Sequence, residues 1–387
     1  MASSFQLRFI LIGNSENRRV VLFQRALRSL DLPPAEVIDW LTFLRDPTVL
    51  EALSADSALV RLDSAGENFL VDKELLKLGY DHALAEGLTG ISPPRVDALA
   101  YERGRVLFPR QLHLGFLRAL EKIEAICSEK PKWTLLNHPR AIATLFDKRQ
   151  TSRLYASRGI PVPSIVDGVA SYESLLAKMR EDGHSSVFIK LAHASSASGL
   201  GVLTVRPNRV SMVTTIAVEG ERWYNTRRLR RITNESGLGP LVDELCRQGS
   251  QIEANVPKAR LAGAFFDCRV LVVDHEVAFA IVRQSRHPIT NLHLGGWRGD
   301  LAALAAAVPQ EIHQTAMNSC RQVSRCHRSF QVGVDLMYEA RFKGHRILEA
   351  NAFGDLLPNL RREGLCVYGW QIRQALQRFT PFAEKHA

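Results

Sequence analysis

The stretch from residue 333 to residue 358 constrains the fold of this chain more than any other. Apolar and other residues alternate over 332–337, and a second short apolar run follows at 347–351. The composition of 341–345 between them is typical of a turn, in which we expect Gly344 to take a positive φ. The pattern predicts two strands joined by a tight connection.

Three oxygen-bearing side chains fall on this predicted hairpin. Glu349 and Asn351 are two residues apart on one strand and therefore share a face, and an antiparallel partner strand could set Asp335 beside them. Two carboxylates and an amide oxygen are hard ligands of the type that holds Mg²⁺ against nucleotide phosphates. The alternative is an edge hairpin whose acidic residues are solvated, and the rest of the chain has to decide between them.

Length and composition bound the class of protein. A chain of 387 residues suits two or three domains, and 46% hydrophobic with 23% charged residues is typical of a globular protein. No apolar run approaches the ~20 residues that cross a bilayer, so we expect no membrane partner. The six cysteines are scattered and form no CxxC pair, which predicts reduced thiols and a cytoplasmic location.

The net charge of +10 indicates an anionic partner, either nucleic acid or a nucleotide with an acidic substrate. The densest basic cluster lies at 222–231, where five arginines are interleaved with Trp223 and Tyr224. It would be a helix or loop that presents arginines to phosphate, or simply a solvated face. Because no helix-turn-helix, zinc-finger or RNP pattern is present, we do not expect nucleic acid as a partner.

The N-terminal part begins as an α/β layer. Residues 5–13 and 35–40 are typical of strands, and 20–30 between them have helical spacing. A further candidate strand at 58–63 contains Arg61 and Asp63 near its end, the edge of such a sheet that faces ligands. These two are candidates for a substrate site, with a local ion pair as the alternative.

Two lysines stand out in the middle of the chain. A helix pair is predicted over 139–159, with Lys148 on its exposed face. A strand delivers Lys190 into a loop of small residues, 192–201, whose backbone could approach an anion closely, although many such loops are plain hairpin turns. Residues 206–250 show no clean period and are interpreted as an insertion or a long connection.

The C-terminal part adds strands with charged residues. Glu253 lies inside a predicted strand at 251–256, and two further strands carry Arg269 and Arg283. The loop that follows contains Asn291. Helices are predicted at 301–307, 310–323 and 368–379.

Taken in chain order, these segments resemble the ATP-grasp superfamily, nearest to its glutathione-synthetase-like and ribosomal-protein glutamate-ligase branch, with a bacterial branch looking closest. The resemblance covers residues 137–358. It rests on Asn137-His138-Pro139 with Asp147-Lys148, Gly159 to Pro163, Phe188-Ile189-Lys190 with its loop, Glu253, Asp267 to Val270, Asn291 to Gly296, and Asp335 with Glu349-Ala350-Asn351. The loop after Lys190 has fewer glycines than is usual for that family, and the segment Glu253–Val256 is more polar.

The resemblance implies the fold and its division. We expect an α/β protein with α+β C-terminal lobes, namely the ATP-grasp fold preceded by a Rossmann-like α/β domain. The expected boundaries are 1–136 for the N-terminal domain, 137–250 for the central lobe with the lysine helix and phosphate loop, and 251–387 for the C-terminal lobe with the metal site.

The resemblance also implies the ligands, ATP with Mg²⁺ or Mn²⁺, and a role for each site residue. The nucleotide would be held by Lys148, Lys190, Ser195, Ser196, Ser198, Gly199, Glu253 and Val256. The metal would be held by Asp335, Glu349 and Asn351, and the acyl group would be handled by Arg269, Arg283 and Asn291.

The implied reaction is an ADP-forming ligation of a carboxylate to an amine or a thiol through an acylphosphate. The acid would be a small molecule or a peptide, and a homodimer is compatible with this reading. Two alternatives stay open, a phosphotransferase on the same fold and a non-catalytic module that binds nucleotide or nucleic acid. The presence of both lysines and all three metal-type ligands favours an enzyme.

Overall fold

The computed structural model describes residues 7–194, 198–220 and 222–380. Its N-terminal part is built on a parallel sheet of strands β1 (Arg8–Gly13), β2 (Glu36–Asp39), β3 (Ala58–Leu62) and β4 (Trp133–Leu135), in the order β2-β1-β3-β4. Strand β3 is buried along its whole length, because a parallel sheet is covered on both faces. The predicted α/β layer is therefore confirmed.

Seven helices accompany this sheet in the described part of the chain. They are α1 (Arg18–Ser29), α2 (Trp40–Arg45), α3 (Thr48–Glu51), α4 (Phe69–Leu78), α5 (Tyr80–Ala85), α6 (Pro93–Asp97) and α7 (Pro109–Ser128). No helix within the described ranges is long and apolar enough to cross a membrane.

The central lobe is an antiparallel sheet with helices on one face. Its strands are β5 (Ser186–Leu191), β6 (Leu200–Arg206), β7 (Arg209–Glu219), β8 (Arg222–Ile232) and β9 (Ser250–Ala254), in the order β8-β7-β6-β5-β9. The helices are α8 (Pro139–Leu145), α9 (Lys148–Ser157), α10 (Tyr172–Glu181) and α11 (Glu235–Arg247). Helices α10 and α11 cover the face that carries Val187 and Ile189, which leaves the other face for the cleft described below.

Two expectations for this lobe differ from the structure. Residues 206–250 are not an irregular connection, since they contain β7, β8 and α11, and their interpretation as an insertion stays a prediction. The basic cluster at 222–231 is the edge strand β8 rather than a helix or loop, and its five arginines are exposed, which agrees with the alternative of a solvated face. An edge strand packs few side chains against the core, so arginines replace the apolar alternation by which strands are recognised.

The C-terminal lobe is built on a second antiparallel sheet. It contains β10 (Arg260–Leu261), β11 (Ala264–Val273), β12 (Glu276–Ser285), β13 (Trp297–Gly299), β14 (Gln331–Tyr338) and β15 (His345–Asn351), in the order β13-β12-β11-β14-β15 with β10 on β11. The small hairpin β16 (Arg361–Arg362) and β17 (Leu365–Cys366), the helices α12 (Leu301–Ala307), α13 (Gln310–Arg325) and α14 (Val367–Phe379), and the 3-10 turns Leu292–Leu294 and Ala340–Phe342 complete it.

The predicted hairpin is present as β14 and β15, with Asp335 directly opposite Glu349. Its turn differs from the prediction, because Gly344 does not take a positive φ. Instead Arg341 and Phe342 have φ of 61° and 53° in the 3-10 turn that begins the connection.

Arg61 and Asp63 are buried in the interior rather than exposed to a ligand. Arg61 Nη2 lies 3.3 Å from Asp63 Oδ2 and 2.6 Å from Asp355 Oδ2, and its Nη1 donates to Gln331 and Gln371. Each of the three charged side chains is at most 2% exposed. The structure therefore favours the ion pair over the substrate site, and the pair extends into the C-terminal lobe.

Candidate active site

A cleft lies between the open face of the central sheet and the sheet of the C-terminal lobe. Nine of the fourteen predicted site residues line it, namely Lys148, Lys190, Ser198, Glu253, Val256, Arg283, Asn291, Asp335 and Glu349. Arg269, Gly199 and Asn351 are beside the cleft without lining it. Ser195 and Ser196 lie outside the described residues.

The metal-type ligands occupy one corner of the cleft. Asp335 and Glu349 are cross-strand partners, and Asn351 Nδ2 donates to Glu349 Oε1 at 3.4 Å. Burial pushes the pKa of Glu349 upward, but the charges of Lys148, Lys190 and Arg269 outweigh it and hold the pKa at about 2. Glu349 is therefore ionised at neutral pH.

Asp335, Glu349 and Asn351 can complete the coordination of a cation only when a bound molecule supplies further oxygen atoms. Within the described residues, no group of three or more His, Cys, Asp or Glu side chains could hold a metal. Asp335 accepts two N–H bonds from Arg269 and lies 3.2 Å from Arg283 Nη2, and because a carboxylate has about four lone-pair sites, it keeps acceptor capacity for a cation. Two carboxylates and the amide oxygen of Asn351 would leave about half of an octahedral Mg²⁺ shell for phosphate or water.

Arg269 lies behind Asp335 rather than in the cleft. Its Nη2 donates to Asp335 Oδ2 at 3.1 Å and its Nε to Oδ1, a bidentate pair that fixes the carboxylate. The space for it depends on two glycines: a Cβ on Gly354 would lie 2.6 Å from Gly333 Cα and 2.9 Å from Arg269 Nη1. Arg269 is thus placed to orient Asp335, and the predicted contact with the acyl group has no support in this geometry.

Lys148 points into the cleft, so its predicted position on an exposed helix face is wrong. The side chain of Asp147 accepts from the backbone N–H groups of Arg149 and Gln150 and starts α9 there, which makes Lys148 the first helical residue. Its Nζ donates to the carbonyl of Ala194 and lies 3.9 Å from Glu349 Oε2. Burial lowers the pKa of Lys148, and the nearby carboxylates oppose this.

Lys190 reaches the cleft from β5 and pairs with Glu253 on the adjacent strand β9. Glu253 is 2% exposed and also accepts from Gln251 Nε2 at 2.9 Å. The loop beyond Lys190 closes at Gly199, whose φ is 67° and where a Cβ would overlap the side chain of Leu191. Gly199 therefore has a conformational role in this loop.

An apolar slot adjoins the two lysines, formed by Phe188, Leu200, Val256, Met337 and Leu348. Only Val256 was among the predicted site residues. Phe188 could have been found, since it is two residues from Lys190 and shares its face of β5. Leu348 could not have been found from the sequence pattern, because a bulge brings it into the cleft. Asp335 pairs with Glu349 and Leu336 pairs with Ile347, so Leu348 between them has no cross-strand partner.

A second group of charges lies at the other end of the cleft. Arg283 Nε donates to Asp267 Oδ1 at 2.7 Å, and its Nη2 lies 3.2 Å from Asp335 Oδ2. Lys258 Nζ is 3.3 Å from Asp267 Oδ2 and 2.9 Å from Thr290 Oγ1. Burial lowers the pKa of Lys258, and Asp267 opposes the shift. Sequence reasoning missed Lys258, Asp267 and Thr290 as site residues, since three separate segments bring them together.

Asn291 follows Thr290 at the rim of the cleft. Its Oδ1 accepts from His293 N at 2.8 Å and caps the 3-10 turn Leu292–Leu294. Its amide Nδ2 is the group that it can offer to a ligand in this arrangement.

The balance of charged side chains in the site favours binding of an anionic ligand together with a metal cation. Five cationic side chains, Lys148, Lys190, Lys258, Arg269 and Arg283, lie among four carboxylates, Glu253, Asp267, Asp335 and Glu349. One positive charge is in excess, and each lysine is held by acceptors that a phosphate could replace.

No protein-family model matches the chain, and no curated protein matches it. Several solved structures are similar to the chain in fold. The ATP-grasp ligase PsnB complexed with minimal precursor, Mg and ADP has a TM-score of 0.53 at 14% identity, covering 95% of this chain and 96% of PsnB. D-cycloserine synthetase DcsG has a TM-score of 0.51 at 14% identity, covering 95% of this chain and 99% of DcsG. The macrocyclase MdnC from Microcystis aeruginosa MRC, bound with precursor peptide MdnA, has a TM-score of 0.51 at 12% identity, covering 95% and 100%. The similarity at these identities is one of fold, and it extends over nearly the whole length of each chain.

Proposed function

Because the chain has the ATP-grasp fold, as the sequence predicted, we propose that it is an ATP-dependent, ADP-forming ligase that joins a carboxylate to an amine or a thiol through an acylphosphate. One observation carries the proposal. The paired carboxylates Asp335 and Glu349 line the same cleft as Lys148 and Lys190, next to an apolar slot.

The nucleotide would lie along the open face of the central sheet. Its base fits the slot of Phe188, Leu200 and Leu348, where apolar side chains can cover a flat ring. Its phosphates would then reach Lys148 and Lys190 and take the place of the carbonyl and carboxylate that these lysines now contact. Ser198 lines the cleft at the end of the phosphate loop.

The metal would be Mg²⁺ or Mn²⁺, held by Asp335, Glu349 and Asn351 together with phosphate oxygens. When bound, it supplies charge neutralisation and orientation of the phosphates. The residues around it prepare this arrangement, since Arg269 holds Asp335 by two bonds and Lys148 keeps Glu349 ionised.

The acid would bind at the end of the cleft that contains Arg283. A guanidinium has five N–H groups; Arg283 donates one to Asp267 and faces Asp335 with Nη2 at 3.2 Å, so within the described residues at least three N–H groups are available to a ligand. These groups can bind the substrate carboxylate and stabilise the charge that grows as it is phosphorylated. Among the described residues, Asp267 and Thr290 take two of the three N–H groups of Lys258 Nζ, which leaves one for the same task.

The solved relatives support both kinds of substrate that the sequence suggested. PsnB and MdnC were solved with precursor peptides, and DcsG is named as the synthetase of a small molecule. The proposed acid is accordingly a peptide side chain or a small metabolite.

The test uses hydroxylamine, because it traps an acylphosphate before the natural amine is known. The purified protein is incubated with ATP, Mg²⁺, hydroxylamine and panels of small acids and acidic peptides, and products are identified by mass spectrometry. We expect ADP together with a hydroxamate of one acid. A stable phosphorylated product without hydroxamate would indicate a phosphotransferase, and absence of ATP binding would indicate that the cleft serves another ligand.

A further inference from the structure

The outer edge of the central sheet carries a concentration of positive charge that the proposed reaction does not use. Arg227, Arg228, Arg230 and Arg231 on β8 are all exposed. None of these four side chains has a hydrogen-bond or ion-pair partner within the described residues. Four unpaired arginines on one short segment repel each other, so the segment favours a ligand with several negative charges.

The first half of β8 already pairs with a short segment of the same chain, residues 102–106. Val106 N donates to Trp223 O at 2.8 Å, and Asn225 N donates to Gly104 O at 2.7 Å. The carboxylate of Glu102 accepts from Tyr224 and Arg222. Backbone pairing and carboxylate recognition therefore occur together on this edge, and they end at residue 225.

The second half of β8, residues 226–232, has no strand on its outer side in the described part of the chain. Its register shifts between the pairs Ile216–Asn225 and Thr214–Arg230. Thr226 Oγ1 donates to Arg228 O at 2.7 Å and also lies 3.1 Å from Thr215 O, which fixes the resulting bulge. Bulges and charges also protect free edges from self-association, and that role alone would require no ligand.

The position of this edge relative to the cleft argues for a ligand. Cross-strand partners share one face of a sheet, and Arg231, Val213, Val202 and Phe188 are successive partners across β8, β7, β6 and β5. Arg231 is therefore on the cleft face, about 14 Å from Phe188 at the usual strand spacing. Strand β8 also lies against the 3-10 turn Leu292–Leu294, directly after Asn291 of the cleft.

We propose that residues 226–232 bind an extended acidic peptide as an added strand. The peptide continues along the edge beyond the segment 102–106, its backbone pairs with that of Arg230–Ile232, and its carboxylates bind the four arginines. Resting on the proposed function, the peptide is also the substrate, since an acidic chain bound here can reach the cleft with one of its carboxylates.

The experiment measures peptide binding by fluorescence anisotropy with the full-length protein and without ATP. The probe is a fluorescein-labelled decapeptide of eight consecutive Glu residues flanked by Thr, which presents carboxylates on both faces of an added strand, as the consecutive residues Arg230 and Arg231 require. We compare it with the same peptide carrying Gln for Glu, with a version methylated on alternate backbone nitrogens, and with a labelled ten-nucleotide oligouridylate. The protein variants are Arg230→Gln/Arg231→Gln and, as a charge-matched control on α1, Arg18→Gln/Arg25→Gln.

We expect about tenfold or greater loss of affinity for the Gln peptide, for the N-methylated peptide and for the β8 variant, with no change for the α1 control. Equal affinity for the N-methylated peptide would overturn strand addition. Tighter binding of oligouridylate than of the Glu peptide would show a nucleic-acid surface instead. Absence of binding of the Glu peptide would overturn the proposal, and the arginines would then serve only to protect the free sheet edge from self-association.

Failure of this inference can be told apart from failure of the proposed function. ATP affinity of the β8 variant is expected to equal that of the wild type, because β8 does not line the nucleotide cleft. Peptide binding without any hydroxamate would contradict the ligase reaction and leave the docking surface intact. A hydroxamate of a small acid without peptide binding would contradict the docking surface alone.

Discussion

Arg283 Nη2 lies 3.2 Å from Asp335 Oδ2, so the arginine proposed to bind the substrate acid also contacts the carboxylate proposed to bind the metal. The same arginine donates to Asp267 at 2.7 Å and is 12% exposed. Its burial excludes a role as a surface arginine that merely pairs with a nearby carboxylate. One side chain links the two ends of the cleft.

We predict that Arg283→Ala keeps most of its ATP affinity, whereas its rate of acid-dependent ADP release falls by about 10²–10³-fold. Donors aimed at the charge that develops in the transition state act mainly on the rate and little on ground-state binding. ATP affinity by calorimetry and the hydroxamate rate are compared. The matched control is Arg286→Ala, which removes an exposed arginine three residues away. Loss of ATP affinity as severe as in Lys190→Ala would make Arg283 a nucleotide ligand.

We predict that Glu349→Gln abolishes Mg²⁺-dependent ATP turnover while the protein stays folded, since an amide cannot supply the charge that the carboxylate gives to a cation. Turnover is measured across a Mg²⁺ titration, and circular dichroism checks the fold. Glu311→Gln, on the exposed surface of α13, is the control. Unchanged turnover in Glu349→Gln would sink the metal assignment.

The two lysines should differ in their effect on stability although both variants lose ATP affinity. Lys190→Ala leaves the buried carboxylate of Glu253 without its cation, which typically costs about 3–5 kcal/mol of unfolding free energy. Lys148 donates to a carbonyl, and the carboxylate of Glu349 that it faces keeps the charges of Lys190 and Arg269, so Lys148→Ala should cost less. Urea unfolding and ATP calorimetry are measured for both.

A double variant separates the two roles of Lys190. In Lys190→Ala/Glu253→Gln the buried charge is removed with its partner, so much of the stability should return while ATP affinity stays low. Recovery of both properties would show that Lys190 supports Glu253 and does not bind phosphate. Lys343→Ala, in the turn of the C-terminal hairpin, serves as the surface control.

The depressed pKa of Glu349, about 2 against an ordinary 4.5, predicts a pH dependence of stability. A group whose pKa is lowered in the folded state contributes stability above its unfolded value and loses it as the pH falls through its folded value. The wild type, without nucleotide, should therefore lose more unfolding free energy than Glu349→Gln between pH 5 and about pH 2. Parallel curves from urea unfolding at each pH would contradict the assigned ion pairing.

Sequence reasoning succeeded where a local period determines the geometry. The alternation around Asp335 predicted which residues share a face, and the hairpin brought Glu349 opposite, as expected. It failed where one residue breaks the period, as at the Leu348 bulge, or where a cap fixes the helix start, as at Lys148. The contacts of Lys258 with Asp267 and Thr290 join distant segments, and no local pattern encodes them.

The buried link of Arg61 with Asp63 and Asp355 has a consequence for exchanging parts between proteins of this fold. Arg61 and Asp63 belong to the N-terminal segment, whereas Asp355 follows the end of β15 by four residues. A chimera whose foreign N-terminal segment lacks this arginine would leave Asp355 as a buried anion without its cation. We therefore expect a chimera to fold stably only when the residues at positions 61, 63 and 355 come from the same protein.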